Sequence, residues 1–182
     1  MRAAAILLNV ALRLHLAWFL YEVMTRPNDR RFAGKAIPIR NLAIVGGMSM
    51  LVPGLHALGR FRRYPVWTDD LWLSIFWLDM AGNSFDLYDR YFRFDLIPHF
   101  HGGGAATAVI AALGQTDDRT ALVAGNALHG LLEAQENLTD VFFGTHNVRG
   151  WWDTAGDLAA GVLGSLAFRV LFAPLRREAR RR

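Results

Sequence analysis

Carboxylates and imidazoles recur at helical spacing in three parts of this chain. In the segment from Asp79 to Gly104, DMAGNSFDLYDRYFRFDLIPHFHGGG, Asp79, Asn83, Asp86 and Arg90 stand at i, i+4, i+7 and i+11. That spacing predicts one polar face of a single helix. Asp95 and His99 are four apart and share a face if the region around Pro98 is helical. Between Thr120 and Asp140 the residues Asn126, His129, Glu133, Glu136 or Asn137, and Asp140 recur every three or four positions, a continuous polar stripe. Asp153 and Asp157 repeat the four-residue spacing. Imidazole and carboxylate are donors suited to zinc or a similar divalent ion, and an ion so held activates water. On this reading His99, His129, Glu133 and Asp157 are candidate ligands and Glu136 is a candidate base. His129-x-x-x-Glu133 is also a common helical pair and is not a recognised metal signature. The same residues fit two other uses: a proton or ion relay through Asp79, Glu133 and Asp157, or a cluster that ties helices together or holds a polar ligand.

What must position these residues is a set of apolar rods. The chain has 182 residues, 53% of them hydrophobic, with the charges gathered in short blocks. The intervals between blocks run to about 17–22 residues, the length a helix needs to cross the hydrocarbon of a bilayer. Six such intervals fill the sequence, which predicts an all-α polytopic membrane bundle forming one domain over 1–182. The expected spans are Ala3 to Met24, Asn41 to Leu58, Trp67 to Tyr88, Leu96 to Gly114, Thr120 to Asp140 and Asp153 to Leu175. Trp67, Trp72, Trp151 and Trp152 sit at span ends, as aromatic belts do. Gly102-Gly103-Gly104-Ala105-Ala106, and Gly161 with Ser165, are small-residue ridges that permit close helix approach. Arg13, in the first apolar interval four residues after Asn9, points into the bundle or snorkels to its edge.

Alternation of direction sends the end of span 3, the start of span 4, the end of span 5 and the start of span 6 to one membrane face. That face collects Asp86, Asp95, His99, Glu133, Glu136, Asp153 and Asp157, and His99, Glu133 and Asp157 are expected to meet there. The opposite face keeps Asp69, Asp70, Asp117, Asp118 and Glu178, read as residues of turns and the tail. The chain carries 20 Lys and Arg against 16 Asp and Glu. Its C-terminal segment 176–182 holds Arg176, Arg177, Arg180, Arg181 and Arg182. After an apolar span such a run reads as a cytoplasmic anchor on anionic lipid, not as a nucleic-acid arm. Cysteine is absent, which excludes a disulfide framework and thiolate chemistry.

Asp95-x-x-x-His99-Phe100, Glu133 with Glu136, Gly144-Thr145, and Trp152-Asp153-Thr154-x-x-Asp157 ahead of Gly161 and Gly164 together form a longer pattern. It resembles the YjdF-like family of small bacterial inner-membrane proteins, itself similar to the VanZ-like proteins. The likeness covers Asp79 to Leu166, and departs from the family's wording at His146, where Gln is expected. It implies five or six transmembrane helices, an inner-membrane location and a polar cluster, and it supplies no reaction. Three function classes stand open at this point. They are an envelope, ligand-binding or accessory subunit that joins a partner membrane protein or larger complex, a membrane-embedded metal-dependent hydrolase or lipid-modifying enzyme, and a proton- or ion-coupled transporter.

Overall fold

The computed structural model describes residues 2–35 and 38–179, whose regular structure is all helical, with no β-strand. The order is α1 (Arg2–Thr25), then a broken helical run of α2 (Pro38–Asn41), a π-helical turn (Leu42–Gly46), α3 (Gly47–Ser49) and α4 (Leu51–Ala57). The longer helices α5 (Val66–Ser84), α7 (Leu96–Gly114), α8 (Asp118–Phe143) and α9 (Trp151–Leu171) follow, with short α6 (Leu87–Arg90) and α10 (Leu175–Glu178) between and after them. Three helices, α1, α7 and α9, are long and apolar enough to cross a membrane, with mean hydropathies of 1.7, 1.3 and 1.3. α5 and α8 are of spanning length but too polar to join that group: Asp69, Asp70 and Asp79 interrupt α5, and the Asn, His, Gln and Glu residues of α8 lower its hydropathy. The run from 38 to 57 keeps right-handed helical backbone through the π-turn and Met50, which divide it into pieces each shorter than a span.

On the outward helix faces the burial pattern is inverted relative to a protein folded in water. On α8 the buried residues include Gly125, His129 and Glu133, whereas Val123, Leu131, Val141 and Phe142 are exposed. On α1, Leu7, Leu14, Trp18 and Tyr21 are also exposed. An amphipathic helix in water would turn the other way, and this one matches an apolar solvent.

α7 and α9 form the tightest pair. A Cβ on Gly103 would stand 2.6 Å from the Gly161 carbonyl oxygen, and one on Gly164 would collide with the Phe100 carbonyl. Ser165 Oγ donates to Gly103 O at 3.0 Å, and Thr107 Oγ1 donates to Ser165 Oγ at 2.9 Å. Small residues thus bring the two backbones together and hydroxyls satisfy each other across the seam.

α1 packs on α5 through Leu12, Leu16, Phe19, Leu73 and Met80. The same interface contains a buried polar network that corrects the sequence reading of Asp69 and Asp70 as turn residues. Both belong to the first turns of α5 and are 0% and 4% exposed. Asn9 Nδ2 donates to Asp69 Oδ2 at 2.7 Å and to Asp70 Oδ1 at 2.8 Å. Arg13 Nη2 donates to Asp69 Oδ2 at 2.5 Å, and the Tyr64 hydroxyl donates to the same oxygen. Arg13 therefore points inward. Removing it leaves a buried aspartate without its counter-charge, so Arg13→Ala is expected to destabilise the fold by about 3–5 kcal/mol. A melting temperature in detergent equal to that of the unaltered protein would refute this assignment.

The expected common face of Asp79, Asn83, Asp86 and Arg90 does not form. α5 ends at Ser84, and Asp86 adopts a left-handed conformation with φ 60° that turns the chain. Asp86 instead lies 3.3 Å from Arg30 and 3.6 Å from Arg90. Asn83 donates back to the Asp79 carbonyl at 3.2 Å.

The tail also differs from a free basic arm. Arg176 pairs with Asp118, and its carbonyl accepts from Gln115. Ala179 is fully buried beside Phe61 and Ala112. Arg180, Arg181 and Arg182 lie outside the described residues.

Candidate metal centre

Three helices deliver the centre. α7 begins immediately after Asp95, with Pro98 in its first turn, where a missing N–H costs no helical hydrogen bond. This places Asp95 one turn below His99, and His99 Nε2 lies 3.3 Å from Asp95 Oδ1. α8 supplies His129 and Glu133, one turn apart on its buried face. α9 supplies Asp157 from its second turn.

His99 sits in the middle. Its Nδ1 is 2.9 Å from His129 Nε2 and 3.1 Å from Glu133 Oε1, and His129 Nε2 is 3.6 Å from the same Glu133 oxygen. His99, His129, Glu133 and Asp157 are 8%, 6%, 3% and 4% exposed. Ligands held at zinc distances of about 2.0–2.1 Å in a tetrahedron are separated from one another by about 3.3 Å. The three separations above bracket that value. Glu133 Oε1, Asp157 Oδ1 and His129 Nδ1 are buried with no hydrogen-bond partner. Polar atoms left so are rare in folded proteins, since each costs about 1–3 kcal/mol.

Two donor triads overlap at His99: His99, His129 and Glu133 on one side, and Asp95, His99 and Asp157 on the other. The first fits an ion better. All three of its members are buried, whereas Asp95 is only partly so. With Nδ1 turned to the ion, Nε2–H is free to donate to Asp95, the carboxylate–imidazole pairing that fixes a ligand's tautomer and ring orientation. Asp157 belongs to the second triad, with Asp95 and His99. Its Oδ2 lies 3.8 Å from His99 Nε2, on the far side of the ring from His129 and Glu133. It faces the orienting side of His99, not the donor side.

The remaining sequence candidates divide around this core. Glu136, half-buried, is within electrostatic range of His99, Glu133, Asp79 and Asp95. Asp79, exposed at the edge of α5, accepts from the Tyr88 hydroxyl at 2.9 Å. Asp153 accepts from the backbone N–H of Arg149 at 2.9 Å and so serves the start of α9. Asp86 belongs to the loop ion pairs already described. Asp140, part of the α8 stripe, accepts from the Thr145 hydroxyl at 2.5 Å and from the N–H groups of Asn147 and Val148 at 2.9 and 2.8 Å. It folds the loop after α8 and stands apart from the centre. His146, the departure from the resembling motif, donates its backbone N–H to Gly34 at 2.6 Å.

No family model, curated protein or solved structure matches this chain.

Proposed function

We propose that this chain is a polytopic inner-membrane protein whose buried centre holds a divalent metal ion through His99, His129 and Glu133. The observation that carries the proposal is the set of three buried donors from two helices at mutual distances of 2.9, 3.1 and 3.6 Å, with Glu133 Oε1 lacking any hydrogen-bond partner. An apolar surround makes an uncompensated carboxylate there costly, and a cation removes that cost. Six spans follow if α5, α8 and the broken run at 38–57 also cross, their acids and breaks covered by neighbouring helices. The C-terminus is then on the cytoplasmic side, with membrane lipid as its partner and no role for nucleic acid. Kinship with the YjdF-like proteins is part of the same reading, resting on the Asp95/His99, Glu133/Glu136 and Trp152–Asp157 motifs.

A bound ion of this kind would polarise an ester or amide and supply a water-derived nucleophile near neutral pH. Half-buried Glu136, within electrostatic range of His99 and Glu133, would take the proton of that water. Metal-assisted hydrolysis at the membrane face is thus the activity class favoured over a purely structural cluster. The test is the metal content of protein purified in detergent without chelator. About one ion per chain is expected, reduced by more than about tenfold in Glu133→Gln, because loss of a donor costs more than the roughly 10- to 100-fold that loss of a supporting group does. Folded protein without metal, even after exposure to Zn2+, would reject the reading.

A further inference from the structure

At the other end of the bundle, the C-terminal helix builds a basic groove. Glu178 folds back on the start of α5, where its two oxygens accept from the N–H groups of Trp67 and Thr68 at 3.1 and 3.0 Å and from the Thr68 hydroxyl at 3.1 Å. A carboxylate at a helix N-terminus is satisfied by the donors it finds there. Packing of Ala179 on Phe61 holds the same connection from the other side. These two attachments place Arg177 on the same open groove as Arg62 and Arg63, a space of about 540 Å3 lined by the three arginines and Glu178.

The charge of this groove is not balanced from within. Among the described residues the guanidiniums of Arg62, Arg63 and Arg177 have no ion pair, and all three side chains are exposed. Arg176 differs, being spent on Asp118. Glu178 is the one acid in the lining, and its oxygens are occupied by α5. Three like charges held together repel unless an anion joins them, and guanidinium is suited to bidentate pairing with phosphate oxygens. The exposed indole of Trp67 lies at the same helix start, as aromatic residues do at the level of lipid headgroups.

We infer that Arg62, Arg63 and Arg177 form a binding site for the phosphate of an anionic phospholipid, assembled by docking of the C-terminal helix on α5. The site does not depend on the metal centre and stands or falls separately. Its occupant is a lipid and not free phosphate, because the groove opens at the bundle end beside Trp67, where headgroup and chain reach it together. Docking of the tail thereby orders the groove, and occupancy in turn holds the tail.

The experiment is lipid retention and thermal stability of the full chain in nanodiscs of phosphatidylcholine with increasing phosphatidylglycerol. The unaltered protein is expected to retain one phosphatidylglycerol and to gain stability as its fraction rises. Combined replacement Arg62→Gln, Arg63→Gln and Arg177→Gln is expected to weaken that retention roughly 100-fold, since each arginine near an anionic surface contributes about fivefold. Arg60→Gln with Arg119→Gln removes basic residues outside the groove and should leave retention unchanged. Equal losses in both variants would show diffuse attraction and overturn the site. So would indifference of the unaltered protein to phosphatidylglycerol. Stabilisation of detergent-solubilised protein by millimolar inorganic phosphate to the same extent would overturn the assignment to lipid.

Discussion

His99→Ala is expected to reduce bound metal from about one ion per chain to below about a tenth, because it removes the donor placed between His129 and Glu133 and more than the 10- to 100-fold that outlying partners contribute. The two nitrogens of His99 serve different neighbours, Nδ1 meeting His129 and Glu133 and Nε2 meeting Asp95. Asp95→Asn should therefore give a different result from His99→Ala. It leaves every donor in place and disturbs only the orientation of the ring, for a loss of about 10- to 100-fold in metal affinity. Asp117→Ala is the control, since that carboxylate caps α8 at Thr120, away from the centre. Metal retained at full occupancy in His99→Ala would refute the donor set.

Gly161→Ala carries the second large effect, and it acts on the same centre through packing alone. A Cβ at Gly161 would collide with the His129 ring. The facing backbone also cannot yield easily, since Gly103 lies against Gly161. Overpacking of this kind costs about 1–3 kcal/mol. The variant is therefore expected to lose stability and metal together while its helical content persists. Gly130→Ala gives the opposite sign: nothing lies within 4 Å of a Cβ there, and it should stabilise α8 by about 0.4–1 kcal/mol. Circular dichroism, thermal unfolding and metal analysis on the two variants separate the effects. Normal metal content in a folded Gly161→Ala protein would break the claimed link between the α7/α9 seam and the position of His129.

Much of this is legible in the sequence, for reasons particular residues make clear. Leu96–Gly114 lies where the small, apolar run places it, bounded by Pro98 in its first turn and the polar turn at Gln115. The burial of His129 and Glu133 follows from four-residue spacing on a rod whose other faces are apolar. Asp86 escaped because nothing in the composition around a non-glycine residue announces a left-handed φ. The expected polar face, carried through Asp86, continued a helix that stops at Ser84. Asp69 and Asp70 escaped for another reason. Their partners Asn9 and Arg13 lie some 56 to 61 residues away in sequence, and two adjacent acids after Pro65 resemble a turn. The missed signal was Arg13 itself, a cation in an apolar helix that needs an acid opposite it.

The side of His99 on which each acid falls lay beyond spacing altogether. Periodicity puts Asp157 on the inward face of α9, and it is 4% exposed. Whether it meets Nδ1 or Nε2 depends on the crossing of α9 over α7, which the glycine seam sets at closer range than a heptad count can specify.

The measurement that bears most directly on the metal centre is the X-ray absorption spectrum of the purified protein at the edge of its bound metal. For zinc, two imidazole nitrogens and one carboxylate oxygen are expected at about 2.0–2.2 Å. The imidazole scattering should disappear in part in His129→Ala. A first shell of oxygen alone, or a spectrum unchanged by loss of His129, would contradict it.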